Sequence, residues 1–260
     1  MLEKVSKTLY IPLYGKACVS RKGIILDDKK AEELWAAEGI PLKGKAASKW
    51  LAYYMAMRSR VFDDWLRSML EQAADAVVLH LGCGMDARCL RVEHPGRAWY
   101  DVDFPDVVQE RKRHYGLSDG YHMLGTDLRD EGWLGEINAD SAIVILEGVS
   151  MYLSPAELQN LLNRLCGKFG KLCMMMDCYT ELAARLSRRH NPINSVGVTR
   201  VYGMDDPRRV ACGGLSFLRE HEITPQSLIQ ELSSGEQRIF RTLYGGKFAN
   251  KLYKLFEYER

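Results

Sequence analysis

The sequence predicts an α/β fold: a twisted, mostly parallel β-sheet flanked by helices and preceded by a helical segment. Three observations predict it. From Ala76 onward, short apolar runs alternate with longer amphipathic stretches, the texture of βα units feeding a parallel sheet. The first run leads into a glycine loop, Gly82-Cys83-Gly84. Acids then stand at or just past the ends of the next runs, at Asp101 and Asp103, Asp127 and Glu147.

Before position 76 the pattern is helical. Lys29 to Ala36 is a short amphipathic piece, and Ser48 to Ala73 carries apolar residues at three- and four-residue steps, with Gly39, Pro41 and Gly44 between them. The strand runs are Ala76 to Leu81, Ala98 to Asp103, Tyr121 to Leu124, Ala142 to Leu146 and Lys171 to Met176. Helices are predicted over Pro105 to Tyr115 and Ser154 to Phe169, each with proline near its first turn. Ser154 and Glu157 also have the spacing of a capping box. Cys178 to Gly214, rich in Arg, Asn, Gly and Asp, reads as an insertion over the carboxyl edge of the sheet. After a short helix over Thr224 to Leu232, Gln237 to Leu243 and Lys251 to Tyr258 look strand-like. Gly245-Gly246 and a short connection lie between them, which predicts an antiparallel pair. The chain thus reads as one domain: a helical cover over 1–75, a βα core over 76–177, a substrate-facing insertion over 178–223 and a closing unit over 224–260.

Composition narrows the function classes. With 260 residues, 47% of them hydrophobic, the chain can bury a full core. Lys plus Arg number 36 against 34 for Asp plus Glu, so no global field gathers nucleic acid or an anionic membrane. Met1 to Val19 has neither a signal-peptide core nor a presequence pattern, and no apolar run approaches the ~20 residues that span a bilayer. The seven cysteines include no C-x-x-C pair, which predicts a reduced, cytoplasmic setting and no metal site.

The segment Val77 to Asp86 is a buried strand running into a loop whose glycines let the backbone turn sharply and approach a ligand. With Ala87 it also satisfies the dinucleotide pattern, so an NAD(P)-dependent oxidoreductase is a rival reading. Asp101 and Asp103 share one face of the second strand, about twenty residues on, where a carboxylate can take ribose hydroxyls. Asp127 and Glu147 favour S-adenosylmethionine. Acids spread along this edge suit an adenine amino group, a sulfonium and an amine, whereas they repel a diphosphate.

Several blocks then stand in order: Tyr54-Met55-Ala56-Met57-Arg58-Ser59-Arg60-Val61-Phe62-Asp63-Asp64, Leu81 to Arg88, Tyr100 to Pro105, and Glu147-Gly148-Val149-Ser150-Met151-Tyr152-Leu153. On these the sequence resembles the leucine carboxyl methyltransferase family, in its bacterial branch. The resemblance implies a Rossmann-like seven-stranded, mostly parallel sheet with helices on both faces, an antiparallel last strand and an N-terminal helical cover. It implies an S-adenosylmethionine-dependent O-methyltransferase, with S-adenosylhomocysteine as product and no metal; the acceptor expected is a carboxylate of a small molecule, and the charge balance and the lack of an apolar span argue against nucleic acid and membrane. In such proteins Arg58 matches the arginine that grips the methionine carboxylate, assisted by Lys16. Gly82 and Gly84 match the glycine loop, Asp103 the ribose acid, Asp127 and Leu128 the adenine side, and Glu147 the methionine-amine side. The chain departs from the family at Cys83, where alanine is frequent, and at Asp101, where glutamate is common.

Methyl transfer is an in-line displacement at a carbon activated by the sulfonium, so the protein has to align the acceptor and exclude water. A carboxylate acceptor is ionised at neutral pH and needs no base. A phenol or alcohol benefits from one, and His122, His190 and Tyr152 are the candidates on chemistry. Arg200, Arg188 and Arg189 can pair with an acidic substrate. His80, inside the first strand, reads as a satisfied core histidine. Gly148-Val149-Ser150-Met151-Tyr152 lacks the closing glycine of a nucleophile elbow. Arg111 to His114 reads as the exposed face of a helix.

Overall fold

The computed structural model describes residues 9–38, 42, 44–116, 118–190, 200–210, 213–245 and 251–260. Three helices lead the chain: α1 (Tyr10–Lys22), α2 (Lys29–Glu38) and α3 (Lys49–Gln72). The long α3 starts where the sequence predicts because the Ser48 hydroxyl accepts the Trp50 N–H at 3.3 Å, satisfying one of the free donors of the first turn. Gly23, at φ +65°, ends α1 in the left-handed conformation and donates its N–H back to the helix carbonyls.

Seven strands follow: β1 (Val77–Leu81), β2 (Trp99–Asp103), β3 (Tyr121–Gly125), β4 (Ser141–Leu146), β5 (Lys171–Tyr179), β6 (Ser216–Glu220) and β7 (Tyr253–Glu259). They form one sheet in the order β3-β2-β1-β4-β5-β7-β6. The first five are parallel, and β7 runs antiparallel to both β5 and β6. The connections carry α4 (Arg88–Arg91), α5 (Pro105–His114), α6 (Pro155–Lys168), α7 (Glu181–His190), α8 (Gln226–Ile229) and α9 (Ser234–Leu243). The predicted capping box is present on α6: the Glu157 N–H donates to the Ser154 hydroxyl and the Ser154 N–H to the Glu157 carboxylate.

Alternation along the strands splits the core in two. Val78, Ile143, Ile145 and Met175 pack under the cover helices α1 to α3, while Leu79, Val144, Leu146 and Met174 face α6. Helices therefore cover both faces, as a parallel sheet requires. Strand order reverses between β1 and β4, and at such a switch point the carboxyl ends of the strands diverge to leave a crevice.

One predicted element is corrected. Gln237 to Leu243 is helical, within α9, and the antiparallel partner on the outer edge is β6, from the end of the expected insertion. The period that decides α9 is four. Glu236 accepts the Tyr53 hydroxyl at 2.7 Å, Phe240 is wholly buried and Tyr244 stacks on Phe240, so the inward face climbs one turn at a time. Among the described residues no helix is long and apolar enough to cross a membrane, and no cluster of metal-ligating side chains is present.

Candidate functional site

The crevice opens into a cavity of about 860 Å³ along the carboxyl ends of the parallel strands. That volume lies toward the upper end of the small-molecule range. Its floor is the loop after β1. Gly82 and Gly84 have φ of +67° and +52°, and a Cβ at Gly82 would overlap the Val149 side chain. The bare backbone is therefore required by the fold and leaves the loop open to a ligand. Asp103, at the tip of β2, accepts the N–H groups of Gly84 and Phe104, each at 2.7 Å, and lines the cavity. Burial pushes its carboxyl up to about 6 despite those hydrogen bonds and nearby Arg111.

Asp101 does different work. It is fully buried and takes hydrogen bonds from Tyr121 at 2.5 Å, from Trp99 at 2.8 Å and from Arg111, which is itself completely buried and not on the exposed helix face expected for it. Burial opposes its ionisation, but Arg111 and the hydrogen bonds prevail and hold it at about 2. It ties β2, β3 and α5 together away from the cavity. His80 is buried as expected but only half satisfied: Nε2 lies 3.3 Å from Arg88 Nη1, whereas Nδ1, 3.3 Å from Asp101 Oδ1, has no hydrogen-bond geometry. Burial lowers its pKa and keeps the ring neutral.

The roof comes from the cover. Arg58, on α3, is buried and bridges the tips of β4 and β5: Nε meets Glu147 Oε1 at 3.0 Å, while Nη1 meets Asp177 Oδ2 at 3.0 Å and the Tyr253 hydroxyl at 2.7 Å. Asp177 also accepts the Gly148 N–H at 2.7 Å. The second Glu147 oxygen takes Arg88 at 2.5 Å, and Ser59 donates to the first at 2.7 Å. Burial would raise Glu147, yet Arg88 and Arg58 together hold it at about 2. Arg88 continues to Asp63, and Arg91 joins Asp63, Asp28 and Asp86. Asp86 then holds Lys16 at 3.0 Å, close to the glycine loop. Four cations, Lys16, Arg58, Arg88 and Arg91, thus meet five carboxylates, Asp28, Asp63, Asp86, Glu147 and Asp177. Burial raises the pKa of Asp177 against the pull of Arg58, so the network stands close to charge balance.

On the far side of the glycine loop, Asp127 is held by Arg129 through Nε contacts of 2.9 and 3.0 Å, a pairing that lowers its pKa. Leu128 is buried beside it, and both line the cavity. The structure therefore brings together Lys16, Arg58, Gly82, Gly84, Asp103, Asp127, Leu128 and Glu147 on one cavity wall. Tyr152 lines the same cavity. His122 does not: it is exposed and stacks on Tyr100 at 4.5 Å. Arg200 is exposed over the Tyr202 ring. The side chains of Arg188, Arg189 and His190 lie outside the described residues.

Asp177, Tyr253 and Arg88 were not assigned from sequence. For Asp177 a signal existed: it is another acid near the carboxyl end of an apolar run, one residue beyond the predicted limit of β5. Ser150, at the suspected elbow, is buried and donates its hydroxyl to the Asp177 carbonyl, so no exposed nucleophile stands there.

Comparison with known proteins agrees with this architecture. The family model for leucine carboxyl methyltransferase matches residues 13–166, more than half of the chain. The tetracenomycin polyketide synthesis O-methyltransferase TcmP of Streptomyces glaucescens is 28% identical over 261 residues, covering 97% of each chain. The S-adenosyl-L-methionine-dependent methyltransferase dpfgK of Gibberella zeae is 28% identical over 64% of this chain and 61% of its own. In fold, the chain is similar to magnesium protoporphyrin IX methyltransferase from Synechocystis PCC 6803, solved with bound S-adenosylhomocysteine. The TM-score is 0.53 at 12% identity, over 88% of this chain and 93% of that one. The chain belongs to the leucine carboxyl methyltransferase family and is an S-adenosylmethionine-dependent methyltransferase on a Rossmann-like sheet.

Proposed function

We propose that the enzyme is an O-methyltransferase that esterifies a carboxylate on a small molecule. The cofactor is assigned to the wall described above. Arg58 and Lys16 hold the methionine carboxylate, Glu147 faces the amine, Gly82 and Gly84 leave room for the backbone to approach, Asp103 takes the ribose, and Asp127 and Leu128 flank the adenine. S-adenosylmethionine supplies a methyl on a sulfonium. Its transfer to a carboxylate oxygen breaks the S–C bond, forms an O–C bond and leaves a neutral thioether and a neutral ester, with no proton to remove.

The observation that carries the carboxylate reading is the polar make-up of the cavity beyond that wall. There the polar side chains include the tyrosines Tyr54, Tyr152, Tyr179 and Tyr244. Burial raises the pKa of Tyr54 and of Tyr244, so these hydroxyls stay protonated and act as donors. Neutral donors suit an acceptor that arrives already anionic, whereas an alcohol or phenol acceptor calls for a group that takes its proton. A largely apolar chamber also favours a step that annihilates two opposite charges.

The test is product chemistry. Extracts are incubated with the enzyme and methyl-labelled S-adenosylmethionine, separated, and treated with mild alkali. Label released as methanol is the expected result. Label that survives alkali means an ether and removes the carboxylate assignment.

A further inference from the structure

We infer that Arg164 and Arg129 are positioning residues for the purine end of the cofactor: they hold the turn 126–130 in the shape that lets Asp127 select a 6-amino group. The inference rests on the assignment of Asp127 to the adenine and adds to it the residues that act through that carboxylate.

The turn follows β3, the edge strand of the parallel set, so no further strand steadies it from that side. Its internal ties are few: the Asp130 N–H donates to the Asp127 carbonyl at 2.9 Å, and the Thr126 hydroxyl to the same carbonyl at 3.3 Å. A loop of this kind keeps one shape only with outside support. Helix α6 supplies it. Arg164 donates through Nη2 to the Leu128 carbonyl at 2.6 Å and through Nη1 to the Asp130 carbonyl, while its Nε returns to the Asn160 carbonyl of its own helix at 3.3 Å. One planar guanidinium thus grips two carbonyls of the turn at once, a geometry that suits the fork of arginine and not the point charge of lysine. Leu128 also belongs to the core layer that α6 covers.

Arg129 acts on the carboxylate itself. Its main-chain N–H and its Nε each reach Asp127 Oδ1 at 2.9 Å, and its Nη2 donates to Oδ2. Its remaining nitrogen, Nη1, lies 3.5 Å from Glu157 Oε1 in the first turn of α6, so the guanidinium is steadied from the same helix as the turn. The rotation of the Asp127 carboxylate is fixed, and the pairing keeps it ionised and therefore a pure acceptor. Three N–H groups occupy a carboxylate that can accept roughly four, which leaves one site for a ligand. Asp127 and Arg129 both line the cavity. A 6-amino group donates into that site, whereas a 6-oxo group, itself an acceptor, meets it lone pair to lone pair.

The test is calorimetric titration of S-adenosylhomocysteine and of S-inosylhomocysteine, which differ only in the oxo group that replaces the 6-amino group. The wild type is expected to prefer the amino form at least roughly tenfold. Arg164→Ala and Arg129→Gln are each expected to weaken the amino form at least roughly fivefold and the oxo form much less, so that the preference collapses. Arg164→Lys, which reaches one carbonyl, is expected to recover part of it. Arg58→Lys, which acts on the amino-acid tail common to both ligands, is expected to weaken both alike and leave their ratio unchanged. Arg129, an exposed side chain, carries the test alone if Arg164→Ala fails to fold. A wild-type ratio retained in the Arg164 and Arg129 variants, with both ligands weakened together, overturns the inference and leaves the Asp127 assignment standing. Equal affinity for the two ligands in the wild type overturns the inference together with that assignment.

Discussion

Arg58 and Glu147 stand 89 positions apart in the chain, one on the helical cover and the other at the tip of β4, and meet at 3.0 Å with both side chains almost sealed from water. The cover is thus joined to the sheet by ion pairs that also form the wall of the cavity. The same groups hold the fold together and line the cavity.

Replacing Arg58 therefore has two effects. Arg58→Ala leaves Glu147 and Asp177 short of a buried partner and is expected to cost about 3–5 kcal/mol, read by chemical denaturation. Arg58→Lys restores a charge without the planar fork that reaches both carboxylates. It is expected to recover part of the stability while calorimetry still shows cofactor affinity down by roughly tenfold or more. Wild-type affinity in Arg58→Lys would remove the guanidinium from the cofactor assignment.

The raised pKa of Asp103, about 6, gives a pH signature. In the free folded protein this carboxyl holds its proton up to that pH, above the ordinary carboxylate range. Its contribution to stability is complete at lower pH and is lost as pH rises through 6. Cofactor affinity moves the other way, because only the ionised carboxylate accepts both ribose hydroxyls. Binding is expected to strengthen as pH rises from 5 to 7, and Asp103→Asn to bind weakly with a flat profile. A flat profile in the wild type would count against the ribose role.

Gly82→Ala places a Cβ at φ +67° and into the Val149 side chain. The floor of the site has to shift, so S-adenosylhomocysteine binding is expected to fall below detection and the melting temperature to drop. Gly96→Ala is the control: its φ is +70°, but nothing crowds the added atom. It carries the backbone strain without the clash and is expected to bind normally.

S-adenosylhomocysteine is expected to raise the melting temperature, whereas NADH and NADPH are expected to leave it unchanged. The acids along the strand tips, including Asp103 and Glu147, oppose a diphosphate. Stabilisation by a nicotinamide cofactor would reopen the dinucleotide reading of the glycine loop.

Ser154→Ala removes one half of the capping box of α6, the 3.3 Å bond from the Glu157 N–H to the hydroxyl, and keeps the 2.7 Å bond from its own backbone N–H to the Glu157 carboxylate. It is expected to cost about 1 kcal/mol of stability. The Ser154 hydroxyl bonds to its own helix start, so cofactor affinity should be unchanged.

The parts of the fold legible in the sequence were those in which one physical signal dominates. β1, β4 and β5 are buried on both faces and read as continuous apolar runs, and α3 and α6 begin at serines that cap them. β6 was missed because it is an edge strand: Ser216 to Glu220 is mostly exposed and shows no inward alternation. α1 was missed for the opposite reason. Ile11, Leu13, Lys16, Ala17, Val19 and Ser20 are all buried, so its side chains bury in too many directions to leave a clean period. In the site, the glycines and strand-tip acids could be placed by position alone. Tyr253 could not, since a tyrosine starting a late antiparallel strand reaches Arg58 only through the topology of the sheet.

That topology also bears on the order of assembly. β7 follows β6 in the chain yet lies between β6 and β5, so during synthesis β6 leaves the ribosome with no neighbour to pair with. The five parallel strands can associate earlier, but Arg58 lacks its tyrosine until β7 slots in beside β5. Completion of the sheet and completion of the hydrogen bonds around Arg58 are therefore a single late event, and a nascent chain halted before Tyr253 has neither.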